Sequence, residues 1–569
     1  MATKIGAKEL VRGAGVATLP SLTLDETGPL PDDAALAELG WPLLVKASAG
    51  GGGRGMRVVA GASDLADAVA GARREATAAF GDGTVFLERL VRAPRHIEVQ
   101  IIADSQGDVV ALFERDCSVQ RRHQKVIEES PSPVVGPELR AQLSEQAVAT
   151  ARAVGYVNAG TVEFVLETEP GGEDRAYFLE MNTRLQVEHP VTEAVTGLDL
   201  VRLQLLVAQG QALPPEVHRA AAVGPQGHAV EAHLYAEDPS QGWLPQTGSL
   251  VRFEIGRDQP DVRVDSGVAS GSVVTPYYDP MLAKVVVHAP TRHEAVSRLA
   301  GALAGARIHG LVTNRDLLVR VLHHPEFAAG SADTGFIERI GLDGPGGLGA
   351  PLADDSAVQR HAVAAALAGR ATRRAAARVQ ATIPAGFRNN PSALQEVTFE
   401  VGSREITIGY GDPPAGARAE GHVLVEVDGK EFGVDTVDAG PDRVRLTVEG
   451  IVRTYLVEHA DGLAFVDGPD GSSTLTVRGR FPDAEAHQAQ GSALAPMHGG
   501  VVRVLVAPGD RVTAGDVLVV LEAMKMEHAV HAPVSGRVAE VDVAVGDQVE
   551  AGRLLALVQP DDPDGADAG

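Results

Sequence analysis

The chain has 569 residues, 44% of them hydrophobic, and a net charge of −26. That length suits several domains, about four at ~150 residues each, and the acidic balance argues against nucleic acid as a main partner. One cysteine, Cys117, excludes an internal disulfide framework and suits a reducing cytosol. No apolar run approaches the ~18 residues of a membrane helix, and the first residues, MATKIGAKELVRGAGV, lack a signal-peptide core. A cytoplasmic protein with no membrane contact is expected.

In chain order, the first marked element is WPLLVKASAGGGGRGMRVV, Trp41 to Val59. An apolar strand ends at Lys46, and Gly50 to Gly53 follow. Glycines let backbone N–H groups approach phosphate closely, and a lysine pairs with its oxygens. The lysine precedes the glycines, so this is neither a Walker loop nor a dinucleotide fingerprint. A glycine tract can also be a flexible linker; the preceding strand and Arg54 and Arg57 favour a phosphate lid.

From Gly160 to Pro190 two apolar strands flank a turn containing Gly171 and Gly172, the pattern of a hairpin. Residues two apart on a strand share a face. If the extension persists, Glu180, Asn182, Arg184, Gln186 and Glu188 form one polar row, with Glu163 on the neighbouring strand. Such a set of carboxylates and an amide suits Mg²⁺ beside phosphates. The plainer alternative is a solvent-facing sheet.

Ser356 to Gln380 predicts an Ala-rich basic helix. Alternating segments follow, EVTFEV, HVLVEVDGKEFGV, RVRLTVEGIVRTYLV and LAFVDG, with turns at Asp428-Gly429 and Glu449-Gly450. Phe481 to Ala493 reads as a linker, and PDDPDGADAG at the end as a disordered acidic tail.

Between linker and tail lies an internal repeat. Ala495-Pro496, Gly499, Val504, Gly509-Asp510, Ala514-Gly515 and Leu518 recur at a constant offset of 37, as Ala532-Pro533, Gly536, Val541, Gly546-Asp547, Ala551-Gly552 and Leu555. Neither copy can bury its apolar face alone, but two packed about a pseudo-twofold axis can, as a flattened β-sandwich. Met524-Lys525-Met526 falls in the link between them, where a tight hairpin would thrust the lysine outward. An ordinary surface lysine needs no flanking methionines, which are costly to expose.

This repeat, with AMKM at its centre, resembles biotinyl carrier domains. The resemblance implies covalent biotin on Lys525 and recognition by a biotin protein ligase. The glycine loop, FLERLVRAPRHIEVQ, RDCSVQRRHQKVIEESP and EMNTRLQVEHPVTE resemble the biotin carboxylase branch of the ATP-grasp superfamily, over Met1 to about Gly341. The middle segment resembles, by position and pattern, the domain that docks the carboxyltransferase subunit in acyl-CoA carboxylase α chains; a structural spacer is the other reading.

The expected fold is therefore multidomain α+β: an ATP-grasp biotin carboxylase core, a helix plus small β-barrel, and a biotinyl flattened β-sandwich. Residues 1–90 are expected to form the lid, 91–341 the C-terminal ATP-grasp subdomain, 350–480 the docking domain, 481–493 the linker, 494–559 the carrier and 560–569 the tail. The family normally carries a Rossmann-like subdomain before the point where this chain starts. Its absence opens an alternative, a catalytically impaired biotin carrier and scaffold.

The resemblance implies an ATP site made by Lys4, Lys46, Gly52, Gly53, Glu88, Arg89, Val91, His96, Gln120 and His123. Glu163, Glu180 and Asn182 would bind Mg²⁺ or Mn²⁺. Lys125, Arg184, Gln186 and the Val187 backbone would cradle bicarbonate, Glu188 would be the general base, and Arg263 would stabilise the biotin enolate. Thr275 to Val285 matches another family segment, whose Tyr277 and Tyr278 could equally be core. The implied activity carboxylates the chain's own biotin, using ATP and bicarbonate via carboxyphosphate. A separate carboxyltransferase β subunit would pass the group to an acyl-CoA, with a lean toward 3-methylcrotonyl-CoA over acetyl- or propionyl-CoA. No TIM-barrel block separates the parts, which disfavours pyruvate carboxylase.

Overall fold

The computed structural model describes residues 3–560 except 25–29, 50–55, 123, 169–173, 258, 345, 380–382, 384–392, 412–422, 480–490 and 525, and the side chains of Thr436 and Met526. Helix α1 (Lys4–Gly13) opens the described chain, with Thr3 Oγ1 accepting the Gly6 N–H. Its Ala7 and Val11 pack with Ile97, Phe164 and Phe178 of the larger sheet. Phe178 then donates its backbone N–H to Ala17 O at 2.8 Å. Of the stretch expected as lid, residues 1–90, this first part thus belongs to the body, because an amphipathic helix settles on whichever apolar face is in reach.

The lid proper is a four-stranded sheet. Its central strands, β1 (Leu43–Ala47) and β2 (Val85–Arg89), pair antiparallel with Lys46 opposite Phe86. Leu43, Val45, Val85 and Leu87 face the helix Leu65–Phe80 through Val69 and Ala72.

The body is an eight-stranded sheet. It is built from β3 (Arg95–Ala103), β4 (Val109–Arg121), β5 (Gln124–Ser130), β6 (Asn158–Glu167), β7 (Arg175–Asn182), β8 (His228–Tyr235), β9 (Val262–Ser266) and β10 (Met281–Ala289). The order is β9-β10-β8-β5-β4-β3-β6-β7, antiparallel throughout. Helix α2 (His189–Thr196) lies against β4, β5, β8 and β10.

Helix α3 (Asp355–Ala375) buries Ala362 to Ala368 inside a nine-stranded antiparallel sheet that folds round it. Small alanines let the strands approach the helix closely. Arg252 clamps Glu458 at 2.5 and 2.9 Å, and Arg307 meets Asp467 at 3.0 Å, so this unit is pinned to the body.

The last unit is two four-stranded sheets, and its twofold is exact enough to exchange hydrogen bonds. Gly509 N–H donates to Val538 O and Gly546 N–H to Val501 O, at 2.7 and 2.8 Å. Gly515 N–H donates to Ala532 O and Gly552 N–H to Ala495 O, at 2.9 and 2.8 Å. Both copies carry a bulge at the same place, after Val501 and after Val538. Strands β11 (Val517–Ala523) and β12 (Met526–His531) form the connecting hairpin.

Candidate active site

Glu163 on β6 sits directly opposite Glu180 on β7. Its carboxylate collects His96 Nε2 at 3.0 Å, Asn182 Nδ2 at 2.7 Å, Gln186 Nε2 at 3.1 Å and Lys125 Nζ at 3.5 Å. Burial alone would raise Glu163, but His96 and Lys125 outweigh it and hold it below its usual range. His96 is raised in turn: burial disfavours its charge, and Glu163 more than restores it. Glu180 goes the other way, raised by burial and by the charge of Glu163. Two carboxylates and an amide oxygen make a hard-oxygen set that fits Mg²⁺, and the repulsion at Glu180 is what a cation between them relieves.

The polar row extends less far than the alternation suggests. Strand β7 ends at Asn182, and the chain then turns, so Glu188 stands at the residue before α2 instead of continuing the strand. The turn nonetheless brings the same residues together. Lys125 Nζ reaches Glu98 Oε2 at 2.5 Å and also contacts Glu188, which is 2% exposed. Burial would lower Lys125, but Glu98, Glu163 and Glu188 are among the groups that keep it charged, well above its ordinary value. Arg184 donates to Gln186 Oε1 at 2.7 Å. The Val187 carbonyl accepts from Lys284 Nζ at 2.9 Å. Arg263 on β9 is held by Glu193 at 2.7 Å and by Asp265 at 2.9 and 3.0 Å, and its side chain stays 44% exposed. Tyr277 and Tyr278 are exposed, not core.

On the lid side, Glu88 is the hub. Lys46 donates to it at 2.9 Å and Lys8 to its other oxygen. Burial would raise Glu88, but Lys46 and Lys8 pull it below its usual range. Burial lowers Lys4, whose neighbours include Glu180 and Lys46. Lys4 and Glu180 thus feel one another's charge, on the side where a polyphosphate would meet the metal. Arg89 crosses from the lid to the body, gripping Glu167 with two bonds at 2.7 and 2.8 Å beside the Tyr177 ring. Val91 is buried at the lid–body junction, and Gln120 pairs across the strands with Lys125. Gly52, Gly53, His123 and Lys525 lie outside the described residues.

Sequence reading missed the support beneath this site. Arg115 is fully buried and binds Glu98 at 2.5 Å, Gln100 at 2.7 Å, Thr192 of α2 at 2.9 Å and Thr161 at 3.1 Å. Glu98 therefore stands between two cations, Arg115 below and Lys125 above, and these overcome the burial that would raise it. The alternation His96, Glu98, Gln100 in RHIEVQ was the available signal, since all three fall on one strand face. A second buried set lies one strand further on: His233 meets Glu231 at 3.1 Å and Glu128 at 3.4 Å. Burial works against its charge, yet the two carboxylates raise His233 to about 9.

Residues 4–216 match the family model for the carbamoyl-phosphate synthase L chain ATP-binding domain, and 231–339 that for the biotin carboxylase C-terminal domain. Residues 358–480 match the BT domain of the methylcrotonyl-CoA carboxylase alpha subunit, and 493–558 the model for biotin-requiring enzymes. The chain is 38% identical over 553 residues to the mitochondrial methylcrotonoyl-CoA carboxylase subunit alpha of Dictyostelium discoideum, covering 93% of this chain and 76% of that one. It is 48% identical over 341 residues to the biotin carboxylase of Halalkalibacterium halodurans, covering 59% and 73%. Among solved structures, it resembles the biotin carboxylase domain of Hydrogenobacter thermophilus 2-oxoglutarate carboxylase, in complex with MgADP, ADP and bicarbonate. That match has a TM-score of 0.54 at 38% identity and covers 60% of this chain and 73% of that one.

Proposed function

The chain belongs to the family of biotin-dependent acyl-CoA carboxylase α subunits, and from that premise we propose how its own residues divide the work. It is an ATP-dependent ligase component with a biotin carboxylase and a biotin carrier in one polypeptide, using biotin, ATP and Mg²⁺. The observation that carries the proposal is the placement of Lys125, charged, between Glu163 on the metal side and Glu188 on the anion side.

Bicarbonate binds against Lys125, Arg184 and Gln186, with the Val187 backbone held in place by Lys284. Glu188 takes the bicarbonate proton. The freed oxygen attacks the γ-phosphorus of ATP, the bond to the bridging oxygen breaks, and ADP leaves with carboxyphosphate formed. Glu163, Glu180 and Asn182 hold Mg²⁺, which supplies neutralisation of the phosphate charge. Lys4, Lys46 and the glycines Gly52 and Gly53 hold the phosphates; Glu88, Arg89, Val91, Gln120 and His123 complete the nucleotide pocket. His96 acts here by orienting Glu163. Carboxyphosphate breaks to CO₂ and phosphate inside the site. Lys525 would hold biotin, whose ureido nitrogen would be the acceptor for the CO₂ released here. Arg263 offers a partly exposed guanidinium to the ureido oxygen.

We assign the second half-reaction to a carboxyltransferase β subunit docked through residues 358–480, 3-methylcrotonyl-CoA as the acceptor, and a biotin protein ligase as the enzyme that loads Lys525. Two assays test this. Lys525→Arg should abolish streptavidin recognition of material from a ligase-competent host while free biotin is still carboxylated; persistent recognition overturns the assignment of Lys525. With co-purified β subunit, labelled bicarbonate should enter 3-methylcrotonyl-CoA faster than propionyl- or acetyl-CoA; the reverse order overturns the acceptor.

A further inference from the structure

Among the described residues, three groups of histidine, cysteine and carboxylate side chains stand close enough to share one ion. Two of them are already served. Glu163 in the first takes four donors, and Glu98, common to the first and second, lies between Arg115 and Lys125. The third group is Glu128 on β5 with Glu231 and His233 on β8. Glu128 and Glu231 stand directly opposite each other across the antiparallel pair, and His233 follows Glu231 on the same strand face. Both oxygens of Glu128 and Oε2 of Glu231 are buried without a hydrogen-bond partner, and both residues are 0% exposed. Among the described residues the only ion-pair partner of either is His233; Lys125, Lys284 and Glu188 act on the set through space alone. Buried carboxylates without a partner are costly, so three such oxygens aimed at one point call for a ligand.

The imidazole is oriented as a metal ligand would be. Its Nδ1 lies 3.3 Å from Tyr235 Oη, and that hydroxyl donates to the Lys125 carbonyl at 3.3 Å. Because the hydroxyl proton points at the carbonyl, Nδ1 carries the proton of the first contact, and Nε2 is left to face the carboxylates. A ligating histidine characteristically donates its other N–H to such a neighbour. Nε2 lies 3.1 Å from Glu231 and 3.4 Å from Glu128. Zinc bonds of about 2.0–2.1 Å at tetrahedral angles set nitrogen and oxygen about 3.3–3.4 Å apart, close to both separations. One carboxylate gripping through two oxygens, the other through one, and Nε2 supply four donors, none of them sulfur.

We propose that Glu128, Glu231 and His233 form a structural zinc site that joins β5 to β8. It is separate from the magnesium site and takes no part in the carboxylation steps. Strand β5 carries Lys125, and β8 pairs with β10, which carries Lys284, so the ion braces the strands from which the anion site is built. The charges balance. Without an ion, burial raises Glu128 to about 8, and His233 rises to about 9 because the two carboxylates overcome its burial. At pH 7 the set thus holds one proton on Glu128 and an extra one on His233. Zinc enters as both protons leave, and the net buried charge is unchanged.

The test uses the full chain, produced with zinc sulfate in the medium, desalted with EDTA and analysed for metal by mass spectrometry. The parent should hold about one zinc per chain, released to the chelator only after unfolding, because the ligands are buried. Glu128→Gln keeps the shape of a side chain that is neutral without the ion, so the fold survives while a ligand is lost; zinc should fall at least about tenfold, and Glu231→Gln should do the same. Glu180→Gln, at the magnesium site, should keep its zinc. X-ray absorption at the zinc edge should show oxygen and nitrogen at about 2.0–2.1 Å and no sulfur at about 2.3 Å. Loading the metal-free chain at pH 7 should release about two protons. A parent that holds no zinc after growth, and none after refolding with zinc sulfate, overturns the proposal. So does zinc retained in both glutamine variants, or a sulfur ligand, which would put the ion at Cys117 with Glu98 and Glu188.

Discussion

Replacing Arg115 by Met removes the one cation beneath Glu98 and keeps most of the volume. Both side chains are fully buried, and the guanidinium serves Glu98, Gln100, Thr161 and Thr192 at 2.5 to 3.1 Å. Breaking a buried pair by removing one partner costs about 3–5 kcal/mol, because the remaining charge stays buried. For a unit of this size that is a fall of roughly 6–10 °C in the carboxylase melting transition, at ~2 °C per kcal/mol. The companion variant, Arg115→Met with Glu98→Leu, removes both charges. It should recover about half of the loss, since an apolar pair is no worse than an ion pair at such a place. It should not recover activity, because Lys125 has lost Glu98 and α2 has lost the bond through Thr192; bicarbonate-dependent ATP hydrolysis should stay down on the order of a hundredfold in both. The assays are thermal unfolding at matched scan rate and ATP hydrolysis with and without bicarbonate. A single variant within ~1 kcal/mol of the parent, or a double no more stable than the single, refutes the reasoning.

Glu180→Gln should raise ligand-free stability by about 0.5–1 kcal/mol by relieving repulsion from Glu163, while the KM for MgATP rises at least about tenfold; a fall in both sinks the metal-site assignment. Gly509→Ala and Gly546→Ala should each destabilise the carrier by about 1 kcal/mol, equally within a few tenths. Both glycines have φ near +97° (+98° and +96°) and open space where a Cβ would go, so the cost is backbone strain alone, and unequal losses in denaturant melts would contradict the twofold. Burial, then Arg121 and Arg122, lowers His528 where the carrier packs on the body, with Met524 N–H donating to Pro276 O at 3.2 Å. A carrier free of that contact binds the proton first, so the contact is at full strength above the free value, near pH 6.5, and weakens as pH falls through it. Protection factors of the Met524 amide at pH 7.5 and 5.5 check this, and equal values refute it.

What could be read from the chain depended on how local the information was. The carrier twofold was legible because 37 residues separate equivalent positions and the Gly-Asp turns repeat literally. That Glu163, Glu180 and Asn182 come together was legible because a strand sorts its residues by parity. Glu188 was reached by the same parity for the wrong reason: β7 stops at Asn182, and a turn does what the strand was expected to do. Arg115 was invisible. A charged residue in a strand reads as solvent-facing, and its four partners come from β3, β6 and α2, so only the assembled sheet shows it buried. The separation of α1 from the lid was equally a tertiary matter, since Ala7 and Val11 say that the helix has an apolar face and not which sheet it will meet.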